Sequence, residues 1–158
     1  MVARASSRPR VRVAAIIVIE DKLVVVQQRR TGEPYYLLPG GGVDAGETLD
    51  GALRREVLEE TGLQCTLVRP LFISDTIEPG GTRHVVNITF LTEVTGGTLL
   101  VTPADSSIEA VEMIDPASLV DVDLRPPMAR EILDASIAGF EVPARYLGSL
   151  WTPEESPA

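Results

Sequence analysis

The chain is short of the residues that fix covalent links, membrane insertion or polyanion binding. It has one cysteine, Cys65, among 158 residues. No internal disulfide can form, so a reducing compartment, the cytoplasm, is the expected home. Cys65 itself reads as a small apolar filler within a strand. No stretch approaches the roughly 18 apolar residues of a membrane-spanning helix. The basic residues 1–12 lead only into a strand-length apolar run, with no signal-peptide cleavage site. Positive charge is also scarce: 14 Lys and Arg stand against 23 Asp and Glu, a formal net charge of -9. Nucleic acids and anionic membranes need a basic face, so neither is an expected partner. A phosphate-bearing small molecule stays compatible, provided metal ions supply the positive charge at the site. What is present is ordinary for a globular protein, 44% hydrophobic and 23% charged, with room for one domain and short tails.

Residues 1–9 are polar and Arg-rich and read as a flexible tail. Residues 11–19 and 22–28 are dense in β-branched side chains around Glu20-Asp21, which predicts a hairpin. A short aromatic-apolar strand over 35–38 stops at Pro39 and three glycines. Residues 48–61 lack proline, are rich in Leu, Glu and Arg, and precede Gly62, which predicts one helix with a C-terminal stop. Strands are expected near 65–75, 84–93 and 98–102, separated by turn signals at 79–81 and 96–97. A further strand is expected at 109–114 and a helical turn at 116–120. A helix is expected over 127–138, with Met128, Ile132, Leu133 and Ile137 on one side. The domain is drawn at 10–140. The tail at 141–158, with Tyr146 and Trp151 just beyond Phe140, is expected to pack on the domain or on a dimer partner. Strands on either side of a central helix, with a second helix late, predict an α/β fold: a mixed sheet between helical layers.

The helix at 48–61 carries residues that conflict with its packing. With Leu49 at angle zero and about 100° per residue, Ala52, Leu53 and Val57 define an apolar stripe centred near zero. Glu56 falls near 340° and Glu60 near 20°, inside the stripe, and Glu59 near 280°, at its edge (all approximate). Arg54 and Arg55 project elsewhere. Like charges four residues apart repel even when exposed, and far more when partly buried. A divalent cation removes the conflict: hard carboxylates at this spacing suit magnesium, with manganese as a substitute. Just upstream, Gly40, Gly41 and Gly42 let the backbone approach a ligand closely. The run is neither a dinucleotide-binding fingerprint nor a Walker loop, since the spacing and the lysine are missing. Gly51 is an early helical glycine that costs about 1 kcal/mol.

Residues 41–63 read Gly-x5-Glu-x7-Arg-Glu-Val-x-Glu-Glu-x-Gly-Leu. This pattern resembles the Nudix box, filled here by Gly41, Glu47, Arg55, Glu56, Val57, Glu59, Glu60, Gly62 and Leu63. The lead-in Leu-Leu-Pro-Gly-Gly-Gly at 37–42 is similar too. The resemblance implies an α/β/α sandwich, the Nudix fold, and metal-dependent hydrolysis of a nucleoside diphosphate linked to another moiety. It implies Glu59 and Glu60 as metal ligands, Glu56 as a ligand or the base that activates water, and a backbone carbonyl from the Gly41 region. Arg55 would orient the glutamates and Glu47 would brace the loop by pairing with it. Members often add an acidic residue from outside the box; Glu109 is preferred over Glu112, with Asp105 behind them.

The box recognises a diphosphate and says little about what hangs from it. In relatives that hydrolyse ADP-ribose a proline commonly stands about sixteen residues past the box, where this chain has Pro79. Further substrate contacts are sought at Arg29, Arg30 and His84, and in the aromatics Tyr35, Tyr36, Phe72 and Phe90, which alternatively belong to the core. The favoured substrate is ADP-ribose or a related nucleotide sugar. The alternatives are a nucleoside triphosphate and, from another class, a non-catalytic nucleotide-binding module. The intact set of repelling carboxylates argues against the module. Family members of this size are often homodimers, and the aromatic tail would suit an interface.

Overall fold

The computed structural model describes residues 8–29, 32–100 and 107–152; Arg30 and Asp105 lie outside them. In chain order the strands are β1 (Arg10–Ile16), β2 (Val18–Ile19), β3 (Lys22–Gln28), β4 (Tyr35–Leu37), β5 (Gly40–Gly42), β6 (Leu63–Ile77), β7 (His84–Gly97), β8 (Ala110–Ile114) and β9 (Arg145–Ser149). The helices are α1 (Leu49–Thr61) and α2 (Ala129–Ile137), preceded by a 3-10 turn at Pro116–Asp121. A mixed sheet runs β5-β1-β7-β6-β9, parallel where β1 meets β7 and β6 meets β9. A smaller sheet runs β2-β3-β4, with β8 also paired to β3.

The alternation of β1 sets the layers. Successive strand residues point to opposite faces, so Val13 and Ala15, continued by Ile17, enter one core with Val24, Ala52, Leu53, Val57 and Phe90. Ala14 and Ile16 enter the other with Val25, Leu71, Phe72, Leu119 and Ile132. Helix α1 covers the first and α2 the second, which is the α/β/α sandwich. Among the described residues no helix is long and apolar enough to cross a membrane.

Several local features differ from the sequence expectation. The run at 11–19 is two strands, because β1 pairs with β5 and β7 while Val18 and Ile19 turn away to pair with β3. The Glu20-Asp21 turn joins β2 to β3, both residues at positive φ (50° and 62°), as a two-residue hairpin loop demands. Thr98 to Leu100 form no strand. After Gly97 the chain crosses the end of α1, where the Leu100 N–H donates to the Thr61 carbonyl at 2.8 Å. Ile137 is 78% exposed, because α2 buries Met128, Ile132 and Ala135 and its last residue points away from that face. Residues 145–149 form edge strand β9, and Phe140 is buried in the α2-side core. Cys65 is buried and free, its thiol pKa raised by that burial.

Helix α1 begins at Thr48, whose hydroxyl accepts the Gly51 N–H, and ends at Gly62 in the left-handed region. Only glycine fits there, since φ is 77° and a Cβ would lie 2.4 Å from the Thr98 carbonyl oxygen. The helix docks through Ala52, Leu53 and Val57, all fully buried, while Leu58 is 48% exposed. Leu53→Ala is expected to cost about 2–5 kcal/mol of stability, and Leu58→Ala no more than about 0.5 kcal/mol. Urea denaturation of both variants checks this; similar losses would mean that α1 docks by a different face.

Candidate active site

Three glycines and one helix face build the site. Strand β5 lies antiparallel to β1, with Gly40 opposite Ala14 and Gly41 opposite Val13. A Cβ on Gly40 would sit 2.0 Å from the Val13 carbonyl oxygen, so glycine is what lets the strands lie together. Gly41 does another job. A Cβ there would fall 2.4–2.5 Å from the Glu56 carboxylate, so the bare backbone cradles that carboxylate. One turn along α1, Glu60 Oε2 accepts the Gly40 N–H at 3.2 Å. Glu60 is 6% exposed. The two carboxylates predicted to lie inside the apolar stripe thus both face the glycine strand.

Two arginines hold this pair of charges. Arg55 donates both Nε and Nη2 to Glu47, at 2.9 and 2.8 Å, and Nη2 also reaches the Gly42 carbonyl at 3.2 Å. Its Nη1 lies 2.8 Å from Glu56 Oε1 and 3.5 Å from Glu59. Helical angles alone separate Arg55 from Glu56, but the long guanidinium curls back far enough to bond it. These partners raise the Arg55 pKa, Glu47 first and then Glu56. In return, Glu47 is held down to about 2 by Arg55 and by the Asp44 N–H, which donates at 2.9 Å. Arg12, from β1, approaches from the other side. Its Nη2 donates to the Leu38 carbonyl at 3.0 Å. Burial lowers its pKa, while the charges of Glu60 and Glu56 pull it back up.

Glu59 is the outlier of the carboxylate set, 56% exposed at its side chain and leaning on Arg55. Among the described residues, no three His, Cys, Asp or Glu side chains converge closely enough to hold a metal ion by themselves. Magnesium does not require three, since it commonly binds one or two carboxylates and keeps waters and substrate phosphates for the rest. Glu56, Glu60 and the Gly41 backbone offer hard oxygen donors of that kind.

A cavity of about 280 Å³ opens beside Glu60 and the glycine strand, between the two sheets. Other sequence-predicted contacts lie elsewhere. Glu109 pairs with Arg29 at 3.2 Å, both exposed, and neither lines the cavity. Glu112 acts on Tyr36, whose hydroxyl pKa it helps to raise after desolvation. Pro79 sits in the exposed turn between β6 and β7. His84 lies 2.7 Å from Asp75, which also bonds Tyr146. Tyr35, Phe72 and Phe90 are buried.

The cavity is lined instead by Arg10, Arg12, Arg83 and Arg125, with Asn87 and Gln28, none of which the sequence reading singled out. A signal existed for Arg12. It shares a strand face with Ala14 and Ile16, and a charged residue on an inward face is anomalous in the way Glu60 is. The convergence of Arg83 and Arg125 depends on long-range folding, and no local pattern announces it.

The Glu47–Arg55 brace has a definite pH signature. The Glu47 pKa is depressed, so its stabilising effect is complete above the unfolded carboxylate value of about 4.3 and is lost as pH falls through about 2. The thermal midpoint of Glu47→Gln should trail the wild type at neutral pH and converge with it below about pH 2. A constant gap across that range would show that the pairing contributes through something other than charge.

The NUDIX domain family model matches residues 8–135. An ADP-ribose pyrophosphatase of Methanocaldococcus jannaschii is 36% identical over 96 residues, covering 58% of this chain and 54% of that protein. The match therefore spans about half the length of that relative. Phosphatase NudJ of Escherichia coli K12 is 27% identical over 148 residues, covering 92% of this chain and 95% of that protein. Among solved structures, a Nudix hydrolase from Nitrosomonas europaea superposes with a TM-score of 0.71 at 24% identity, covering 84% of this chain and 90% of that one. With the domain match running through β1, the glycine strand, α1 and most of α2, the chain belongs to the Nudix hydrolase family.

Proposed function

We propose that the protein hydrolyses the diphosphate linkage of a nucleoside diphosphate joined to a second moiety, with ADP-ribose or a related nucleotide sugar as the favoured substrate. The observation that carries this is the packing of Glu56 and Glu60 against a strand with no side chains. A Cβ on Gly41 would fill the space that the Glu56 carboxylate occupies, and the donors there are all hard oxygens, so the residues fit magnesium or manganese. Glu56, Glu60 and the Gly41 carbonyl would hold the ion, joined by Glu59 on release from Arg55. When bound, the ion polarises a phosphate, lowers the pKa of a water and stabilises the leaving phosphate.

The protein's own groups supply orientation and proton handling. Glu56 Oε1 accepts the Arg55 N–H, which leaves Oε2 to bind the ion or take a proton from water. Arg55 fixes the Glu56 rotamer, and Glu47 fixes Arg55 through two parallel bonds, the geometry in which a guanidinium is most tightly oriented. Arg12 offsets part of the charge of Glu60 while holding the Leu38 carbonyl, and so secures the corner that leads into β5.

Support for the sugar-nucleotide reading comes from the similarity to the M. jannaschii ADP-ribose pyrophosphatase. Pro79 does not line the cavity. One observation favours a second reading, a nucleoside triphosphate: Arg10, Arg12 and Arg83 line the cavity, which suits a longer phosphate chain. Products separate the two. A nucleotide sugar yields a nucleoside monophosphate and a sugar phosphate, whereas a triphosphate yields a monophosphate and inorganic pyrophosphate.

Incubation with magnesium and a panel of ADP-ribose, nucleotide sugars and nucleoside triphosphates should give the first product pair, and chelation by EDTA should abolish it. Glu56→Gln should lower kcat by about 10²–10⁴-fold, the range for removing a general base, with Glu60→Gln similarly impaired. Turnover that persists in EDTA or in both variants would overturn the proposed chemistry.

A further inference from the structure

The cavity contains no aromatic side chain among the described residues that line it, yet a nucleotide brings a flat base that must be held. The side chain that meets this need is Arg125. Its Cζ lies 4.2 Å from the centroid of the Tyr35 ring, directly over it. Nε and Nη2 are bonded to the Asp123 carboxylate, at 3.2 and 2.8 Å. The guanidinium is therefore fixed in plane by Asp123 and against one face by Tyr35. Its side chain is only 10% exposed. Arg125 lines the cavity, whereas Tyr35, 8% exposed, does not. The arginine, and not the ring behind it, thus supplies this part of the cavity wall.

The backbone makes this placement rigid. Tyr36 donates its N–H to the Asp123 carbonyl and accepts the Arg125 N–H, both at 2.8 Å, so the segment carrying Arg125 is stapled to β4 beside Tyr35. The Tyr35 hydroxyl also bonds Gln28 Oε1 at 2.9 Å, and Gln28 lines the same cavity. One buried tyrosine therefore positions two cavity residues, one by its ring face and one by its hydroxyl. With its oxygen engaged, Gln28 presents amide N–H groups, suited to an acceptor on the edge of a base.

We propose that Arg125, backed by Tyr35, is the stacking platform for the nucleobase of the substrate, with Gln28 donating to the edge of that base. This deepens the nucleotide-hydrolase reading and rests on it. Bases stack on guanidinium planes as they do on aromatic rings. A guanidinium already paired with a carboxylate and a ring loses little freedom when the base arrives. Arg125 is in these terms a specificity-determining residue, lining the same cavity as Glu60 but carried by a different element.

The test uses two ligands that differ only in the base. AMP and ribose 5-phosphate are titrated calorimetrically, with magnesium, into the full-length protein and its variants. The wild type should bind AMP more tightly than ribose 5-phosphate. Arg125→Leu should weaken AMP about tenfold, within the range measured for stacking one base, and leave ribose 5-phosphate unchanged. Arg125→Lys, which keeps the charge and loses the plane, should behave like Arg125→Leu. Asp123→Asn keeps the plane and loosens its anchor, so it should weaken AMP by a smaller factor, with a thermal midpoint close to that of the wild type. Equal binding of the two ligands by the wild type overturns the proposal. So does recovery of AMP binding by lysine, which would mark a charge contact, or an equal loss of both ligands in Arg125→Leu with Asp123→Asn unaffected. Glu60→Gln separates this from the proposed chemistry: it should keep the preference for AMP while losing turnover. A wild type that prefers AMP but cleaves nothing contradicts the hydrolase reading alone.

Discussion

Two carboxylates one turn apart on a helix repel each other, and burying one of them raises the cost. Here Glu56 and Glu60 are both turned inward against β5, and Glu60 is almost wholly buried. The rest of the site is arranged around that conflict. Arg55 bonds Glu56 from the loop side and Arg12 opposes Glu60 from β1. Glu47 in turn fixes Arg55. Removing one member of such a set strands a partly buried charge, which is why these side chains act as a unit rather than as separate contacts.

The sheets provide the geometry that the charges need. β1 is central because its two faces serve the two cores while its edge pairs with the glycine strand. That pairing brings Gly40 and Gly41 under α1; the missing Cβ at Gly40 lets β5 lie against β1, and the one at Gly41 lets the strand meet the Glu56 carboxylate. The same strand face that carries Ala14 and Ile16 into the α2-side core carries Arg10 and Arg12 into the cavity, so core and site are continuous. On the far wall, the Tyr35–Arg125 stack belongs to the second sheet and the segment stapled to it. The α1 carboxylates and the Tyr35–Arg125 stack thus reach the cavity from different elements of the fold.

Much of this was legible in the sequence because its signals are local. Thr48 and Gly62 mark the ends of α1, and the helical period places Glu56 and Glu60 on the buried face. Glu20-Asp21 marks the turn between β2 and β3. The break within residues 11–19 was not legible, since which sheet a β-branched run joins is decided by distant partners, here β7 and β3. The helical wheel also understated Arg55, because angles describe where a side chain leaves the helix and not how far a guanidinium reaches. Glu109 shows what a sequence position leaves open. Its sequence position suits a contributor to the site; in the fold it pairs with Arg29, at the ends of β8 and β3, and does not line the cavity. The Tyr35–Arg125 pair brings together residues ninety positions apart, and no periodicity reports such a contact.

The central claim is that the inward carboxylates of α1 and the backbone of β5 form one cation site. The most direct measurement is anomalous diffraction from crystals soaked in manganese. The expected result is an anomalous peak bounded by the Glu56 and Glu60 carboxylates and the Gly41 carbonyl. A peak elsewhere, with Glu56 still bonded to Arg55 and Glu60 still bonded to Gly40, would contradict it.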